Sequence, residues 1–235
     1  MKEIINTPLF WILITLGAFQ IGVYISKKTK FPLFNPILIA LSLIIGILVI
    51  FQIDYEVYNS GGEIINSFLG PATVVLAVPL YKQLDLLKKN FGAIITGVIV
   101  GATSSIVSVM VLGKLLAVDI DIITSLIPKS VTTPIGVEVS KILGGIPSIT
   151  IVSIVITGIV GAIIAPTLNR VLNIKSHIAV GVGIGSAAHA LGTTKAFEMG
   201  EAQGAMSSLS IGVAGLITVF IAPPIFTIAV KILSL

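Results

Sequence analysis

Long apolar runs separated by short charged stretches constrain the fold of this chain more than any other feature. The first run, residues 8–26, crosses the roughly 30 Å of hydrocarbon in a bilayer at about 1.5 Å of helix rise per residue. Because backbone groups cannot bond to water inside a bilayer, such runs predict helices. Comparable runs cover residues 36–53, 64–81, 91–116, 147–168 and 205–226.

The composition excludes a soluble globular domain. Of 235 residues, 55% are hydrophobic and only 10% are charged, whereas soluble domains carry roughly 25% charged residues. The absence of cysteine excludes disulfides and thiolate metal sites. The net charge of +4 comes from short basic loops and does not indicate a nucleic-acid surface. We expect a multi-pass protein of the cell membrane, the cytoplasmic membrane in a bacterium.

The loops alternate in charge along the first half of the chain. Residues 27–30 and 82–89 are basic, whereas the loops that follow residues 53 and 118 are acidic. Because basic loops remain in the cytoplasm, this alternation places the N-terminus outside. Asp119 and Asp121 are interpreted as part of a solvated loop.

Two segments in the second half are apolar but interrupted by polar residues and glycines. They cover residues 119–145 and 176–204, and a clean span follows each. Glycine weakens a helix by roughly 1 kcal/mol relative to alanine, and irregular backbone at membrane depth must be buried in protein or line a cavity. Each segment can cross as a broken helix or form a re-entrant hairpin. Hairpins are favoured, because they keep the basic residues 170–175 in the cytoplasm.

The two blocks that contain these segments resemble each other. At a constant spacing of 57 residues, Ile164-Ala165-Pro166 recurs as Ile221-Ala222-Pro223, and Gly158 recurs as Gly215. Repeats that each carry a broken segment indicate a transporter site near the membrane midplane. The predicted fold class is an all-α integral membrane protein with about six full spans and two re-entrant or broken segments in inverted repeats. Residues 1–118 would form a four-span scaffold and residues 119–235 the transport core.

The polar residues of the interrupted segments predict an anion site. Helix N-termini attract anions, and hydroxyl groups and lysines add donors and positive charge. The threonines could instead satisfy backbone carbonyls freed at helix breaks, and the lysines could extend to a membrane interface. The predicted substrate-binding residues are Lys129, Thr132, Thr133, His189, Gly192, Thr193, Thr194 and Lys195.

Two glutamates are candidates for proton coupling. Glu138 and Glu198 lie in apolar sequence, where a carboxyl group resists ionisation. A lysine three residues from each glutamate offers intrahelical pairing as the alternative. His189 could carry a proton near neutral pH or act as a hydrogen bonder between packed helices.

The motifs of common enzyme classes are missing from the sequence. It contains no HExxH motif, no P-loop and no cysteine pair, and no Ser-His-Asp signature. Gly181, Gly183 and Gly185 have the spacing of part of a dinucleotide loop but follow no soluble strand, so they are interpreted as helix-packing glycines. We expect no enzymatic activity, no catalytic residue, no cofactor and no metal site.

Three motifs resemble the LrgB/CidB family of membrane proteins. They are PKSVTTPI at Pro128–Ile135, GGIPS at Gly144–Ser148 and GxxAHxxGTxxAxExGExxGAxSSL at Gly185–Leu209. The resemblance implies an antiholin-like or holin-like protein that influences murein hydrolases and lysis beside a small LrgA/CidA-type partner. It also implies transport, because plant relatives carry glycolate and glycerate in plastids and bacterial members are linked to pyruvate uptake.

The expected function is a secondary transporter of small monocarboxylates of the glycolate, glycerate, pyruvate or lactate type, with proton coupling as an option. The alternative is an antiholin-like regulator of murein hydrolase activity and cell lysis. The expected partners are a small carboxylate, the lipid bilayer, an LrgA/CidA-like membrane protein and further copies of this chain, with no nucleic acid.

Overall fold

The computed structural model describes residues 5–29, 34, 36–68, 71, 74, 81 and 84–233. The described residues form helices and no strands. The chain divides into two compact units, residues 1–73 and residues 74–235. The candidate site lies entirely in the second unit.

The first unit is a small helical cluster. It comprises α1 (Pro8–Thr29), α2 (Pro36–Ile50) and α3 (Tyr55–Ser67), and α2 and α3 both pack on α1. Trp11 of α1 is fully buried and meets the ring of Tyr58 edge to face at 5.7 Å. An aromatic residue therefore anchors this cluster where α1 meets α3.

The second unit contains the long helices and the two interrupted segments. Its helices, in chain order, are α4 (Leu84–Lys89), α5 (Phe91–Leu115), α6 (Ile120–Leu126), α7 (Thr133–Leu143), α8 (Pro147–Val171), α9 (His177–Met199) and α10 (Glu201–Leu233). Both α9 and α10 pack against α5, and α9 also packs against α8. Pro147 begins α8, where its missing N–H has no helical partner to lose.

Four helices in the described part of the chain are long and apolar enough to span a membrane: α1, α5, α8 and α10. They correspond to four of the predicted runs, and α1, α5 and α8 begin at the predicted residues. The second predicted span is the shorter helix α2, of 15 residues. The third, residues 64–81, lies mostly outside the described residues. The described part of the chain is therefore all-helical, and four of its helices are long and apolar enough to cross a membrane.

Residues 120–143 form a first hairpin, in which α6 and α7 lie side by side. The Ser125 hydroxyl of α6 accepts a hydrogen bond from the Ile146 backbone N–H at 2.7 Å. The hydroxyl of Thr150 lies 2.7 Å from Ser140 Oγ and 3.0 Å from the Ser125 carbonyl oxygen. The first hairpin therefore has a closed base beside the start of α8, and its tip is formed by residues 127–132.

The helix α9 is a second hairpin. The backbone of His189 has φ 41° and ψ −140°, which breaks α9 into arms 177–188 and 190–199. In a straight helix, Ile184 and Gly192 would lie about 12 Å apart, because eight residues separate them. Here the two residues are in contact, since a methyl group on Gly192 would lie 3.0 Å from Ile184 Cγ2. At the base, the side chains of His177 and Gln203 lie 2.7 Å apart. Both arms therefore run along one stretch of α10.

The two hairpins approach the middle of α5 and α8 from opposite ends. Near its base, the first hairpin packs Ile123 against Gly113, close to the C-terminal end of α5. The second hairpin packs Val182 against Gly97 in the N-terminal part of α5. The two tips consequently come together beside the central turns of α5 and α8. The compact units divide the chain after residue 73, because α5 packs with the hairpins. The division into functional regions 1–118 and 119–235 stays a prediction.

Candidate functional site

A cavity of about 670 Å³ lies between α5, the first hairpin tip, α8 and the first arm of α9. Its inner end contains Ser105 and Lys129, and it extends along α8 to Asn169 and Ile174 beside the loop 172–176. A volume of this size accommodates a small organic molecule. The cavity is mostly apolar along α8 and polar at its inner end.

The polar inner end is organised around Lys129. Lys129 Nζ donates a hydrogen bond to Ser105 Oγ at 2.7 Å, and Ser105 Oγ lies 3.2 Å from Ser130 Oγ. The α6–α7 break places Lys129 and Ser130 at the hairpin tip. The helical spacing of α5 turns Ser104, Ser105 and Ser108 toward the same cavity. Hydroxyl groups and one cation therefore face a common space.

The charge of Lys129 has no counter-charge in the described part of the chain. Both ion pairs found there involve other lysines, and no aspartate or glutamate lines the cavity. An uncompensated ammonium group in apolar surroundings costs several kcal/mol. The cavity is therefore electrostatically suited to a small anion, whose carboxylate could pair with Lys129 and accept hydrogen bonds from the serines.

His189 is a structural part of the second tip and does not line the cavity. Its Nε2–H donates to the Ile154 carbonyl oxygen at 2.8 Å, and its side chain is 4% exposed. Gly158 makes room for the ring, because a methyl group there would lie 2.5 Å from His189 Cε1. The imidazole thus attaches the hairpin tip to α8, which is the packing role weighed as its alternative.

The predicted threonines also lie outside the lining of the cavity. Thr193 Oγ1 lies 2.9 Å from the His189 carbonyl oxygen and 2.7 Å from Ser207 Oγ. The exposed Thr194 hydroxyl donates to the Ala190 carbonyl oxygen at 3.3 Å. Both threonines satisfy carbonyls next to the helix break, which is the role given as their alternative. The buried Thr132 hydroxyl has no hydrogen-bond partner among the described residues, and Thr133 begins α7 beside it.

The predicted charged residues other than Lys129 form two exposed ion pairs. Glu138 binds Lys141 at 2.8 Å, and Glu198 binds Lys195 at 2.7 Å. The Glu138 and Glu198 side chains are 67% and 62% exposed. Intrahelical pairing, the alternative to proton coupling, therefore accounts for both contacts. Gly192 packs inside the second hairpin against Ala188.

Of the eight predicted binding residues, the cavity brings in Lys129 and leaves the other seven outside its lining. Sequence reasoning missed the serines Ser105, Ser130 and Ser186. In sequence, Ser104, Ser105 and Ser108 occur in an apolar span, where serine usually bonds to its own helix. The spacing of Ser104, Ser105 and Ser108 on one face of a helix was the signal that could have identified these three serines.

Comparison with known proteins gives consistent matches over nearly the whole chain. The profile of the LrgB-like family matches residues 15–228. An uncharacterised protein of Bacillus subtilis, YxaC, is 40% identical over 90% of this chain and 92% of its own length. Proteins of Bacillus mycoides and Bacillus cereus named antiholin-like protein LrgB are 37% identical over 92% of this chain and 95% of theirs. No solved structure matches.

Proposed function

This chain belongs to the LrgB-like family of membrane proteins, and we propose that it acts within that family as a secondary transporter of small monocarboxylates. Glycolate, glycerate, pyruvate and lactate are the expected substrates. The substrate carboxylate would bind at the inner end of the cavity beside Lys129. We place the protein in the bacterial cytoplasmic membrane.

The unpaired ammonium group of Lys129 is the observation that carries this proposal. Lys129 hydrogen-bonds to Ser105 in the cavity and pairs with no described carboxylate. Polar and charged groups at membrane depth are costly and mark sites of function. A carboxylate would neutralise this charge and accept hydrogen bonds from the serine hydroxyl groups. A regulator that carries no solute would gain nothing from such a site.

The arrangement of the hairpins supports a pair of inverted repeats. The first hairpin approaches from the C-terminal end of α5 and the second from its N-terminal end. The helix boundaries show the same spacing of 57 residues. The helix α7 begins at Thr133, and the second arm of α9 begins 57 residues later, directly after His189. This register pairs Thr132 with His189. Hairpins of this kind would be re-entrant and meet near the midplane.

Uptake of radiolabelled pyruvate and glycolate into proteoliposomes tests the proposed transport. We expect saturable uptake above that of protein-free liposomes, with unlabelled carboxylates competing and an uncharged analogue such as lactamide failing to compete. Carboxylates should compete because their negative charge pairs with the positive charge of Lys129, whereas lactamide carries no charge. Well-folded protein that takes up neither radiolabelled substrate would contradict the proposal.

Proton coupling through Glu138 or Glu198 is a separate part of the proposal. If one of these carboxylates carries the coupled proton, Glu→Gln there should abolish the response of uptake to an imposed pH gradient. Exchange of labelled for unlabelled substrate should persist, because exchange needs no net proton movement. Full pH-driven uptake by both variants would leave the two glutamates as exposed ion-pair partners, whose loss costs about 0–1 kcal/mol.

A second candidate function is regulation of cell lysis, and the names of two relatives favour it. Those proteins are called antiholin-like. In this second proposal the chain would modulate murein hydrolase activity together with an LrgA/CidA-like partner or further copies of itself. The uptake measurement separates the two functions, because only the first requires solute to cross.

A further inference from the structure

We propose that a small second cavity beside Lys129 is a subsite for one oxygen atom of the substrate, and that Thr218 of α10 donates the hydrogen bond that selects for this oxygen. The proposal rests on the transport function proposed above and deepens it. With the carboxylate bound at Lys129, the oxygen in the subsite would be the one on the carbon atom next to the carboxylate. Thr218 would then determine specificity, favouring 2-hydroxy and 2-oxo acids over acids that lack this oxygen.

The small cavity adjoins the polar inner end of the large one. The two share three lining residues, Ser105, Ser130 and Ser186. The volume of the small cavity is about 10 Å³, which is close to the space that one water-sized group needs. A carboxylate and its carbon chain do not fit in this space. The small cavity can therefore take a single oxygen atom of a molecule that is bound in the large cavity.

The hydroxyl group of Thr218 points to a ligand. Thr218 is 3% exposed and lines the small cavity. Its hydroxyl forms no hydrogen bond with the described residues, whereas the hydroxyls of Ser210 and Thr227 on the same helix donate to backbone carbonyls. Among the described residues, only Thr132 has an unpaired hydroxyl that is sealed from all open space, so the Thr218 hydroxyl has access to the cavity. Because a buried hydroxyl without a partner is costly, an oxygen that accepts its hydrogen bond would be stabilised there.

The serines of the subsite can complete the hydrogen bonding of this oxygen. Ser186 Oγ donates to the Val182 carbonyl oxygen at 2.7 Å, so the lone pairs of Ser186 Oγ remain able to accept. A substrate hydroxyl could therefore accept from Thr218 and donate to Ser186. A substrate oxo group, which has no proton, could accept from Thr218. The subsite thus suits an oxygen of either kind.

The charge beside the subsite favours a substrate oxygen over a metal cation. Lys129 Nζ lies 2.7 Å from Ser105 Oγ, which lines the small cavity, and no aspartate or glutamate lines that cavity. The ammonium group would repel a cation that has no anionic ligand. A water molecule could meet the same hydroxyls, but a carboxylate at Lys129 brings its own neighbouring oxygen to the serines that line both cavities. The substrate oxygen would take the place of such a water molecule.

Pairs of acids that differ by one hydroxyl group test the subsite. Calorimetry on protein purified in detergent compares the binding of glycolate with acetate, and of lactate with propionate, in wild-type and Thr218→Val protein. Valine has nearly the shape of threonine but no hydroxyl group. Thr218→Ser keeps the hydroxyl group. Thr227→Val makes the same change on α10 at an exposed residue outside the lining of both cavities.

We expect wild-type protein to bind glycolate and lactate about 2- to 10-fold more tightly than acetate and propionate, the range for one neutral hydrogen bond. Thr218→Val should remove this preference by weakening the binding of the two hydroxy acids. Acetate and propionate should keep their affinity in this variant, which also reports that the protein is folded. Thr218→Ser and Thr227→Val should keep the preference.

Wild-type protein that binds both acids of each pair equally would overturn the subsite and leave carboxylate transport standing. Thr218→Val protein that keeps the preference, or that binds all four acids more weakly by the same factor, would also overturn it. The small cavity would then hold water only, and Thr218 would not select the substrate. If wild-type protein binds none of the four acids, the transport function falls together with the subsite.

Discussion

Lys129→Met is expected to weaken the binding of pyruvate or glycolate by about 10- to 150-fold, which corresponds to the roughly 1.5–3 kcal/mol of a charged hydrogen bond. The ammonium group is the only cation among the residues that line the cavity, and its bond to Ser105 fixes its position. Methionine retains much of the side-chain length and apolar surface but removes the charge. Calorimetry or intrinsic fluorescence on protein purified in detergent measures the change in affinity.

Lys195→Met provides the matched control for this experiment. Lys195 was predicted from sequence to bind the same substrate, but it lies outside the lining of the cavity and pairs with Glu198. Its removal should change carboxylate affinity less than about twofold, since an exposed pair contributes about 0–1 kcal/mol. Lys129→Arg, which keeps the charge, should retain part of the affinity. Equal losses in the two methionine variants, or none in Lys129→Met, would contradict the assignment of the site.

Gly185→Ala is expected to destabilise the second unit by about 1–3 kcal/mol, the usual cost of overpacking. The added methyl group would overlap the Ser207 carbonyl oxygen and lie 2.9 Å from Ser207 Cα. Because these are backbone atoms of α10, no side-chain rotation can relieve the overlap. The first arm of α9 would have to separate from α10, which would strain the hydrogen bond between Thr193 and Ser207. Thermal unfolding of the purified protein should show a lower Tm.

Gly183→Ala tests whether the effect depends on this close approach. Gly183 lies two residues earlier on the same arm, and a methyl group there would meet no atom within 4 Å. The change should be neutral or slightly stabilising, because alanine favours a helix by roughly 1 kcal/mol over glycine. Similar losses of stability in both variants would contradict the role given to the contact with α10, because a methyl group at Gly183 overlaps no atom and improves helix propensity.

The amino-acid sequence by itself determined the helical membrane class, most of the spans and the two interrupted segments. These features depend on local properties: the length of an apolar run, proline at Pro147 and the density of glycines between residues 181 and 204. It also drew attention to Lys129, which the structure places in the lining of the cavity, because a cation in an apolar segment has few possible explanations. The spacing of 57 residues was visible in the ungapped match of α8 with α10.

Only the tertiary structure decided which polar residues face the cavity. A serine or threonine in a membrane helix can bond to its own backbone, to another helix or to a ligand, and local sequence does not distinguish these partners. Thr193 meets Ser207, and His189 meets the Ile154 carbonyl, because the second hairpin folds back against α8 and α10. Ser105 meets Lys129 because the first tip reaches the middle of α5. Those contacts join residues 14 to 35 positions apart, so they depend on how the helices pack and not on what each helix contains.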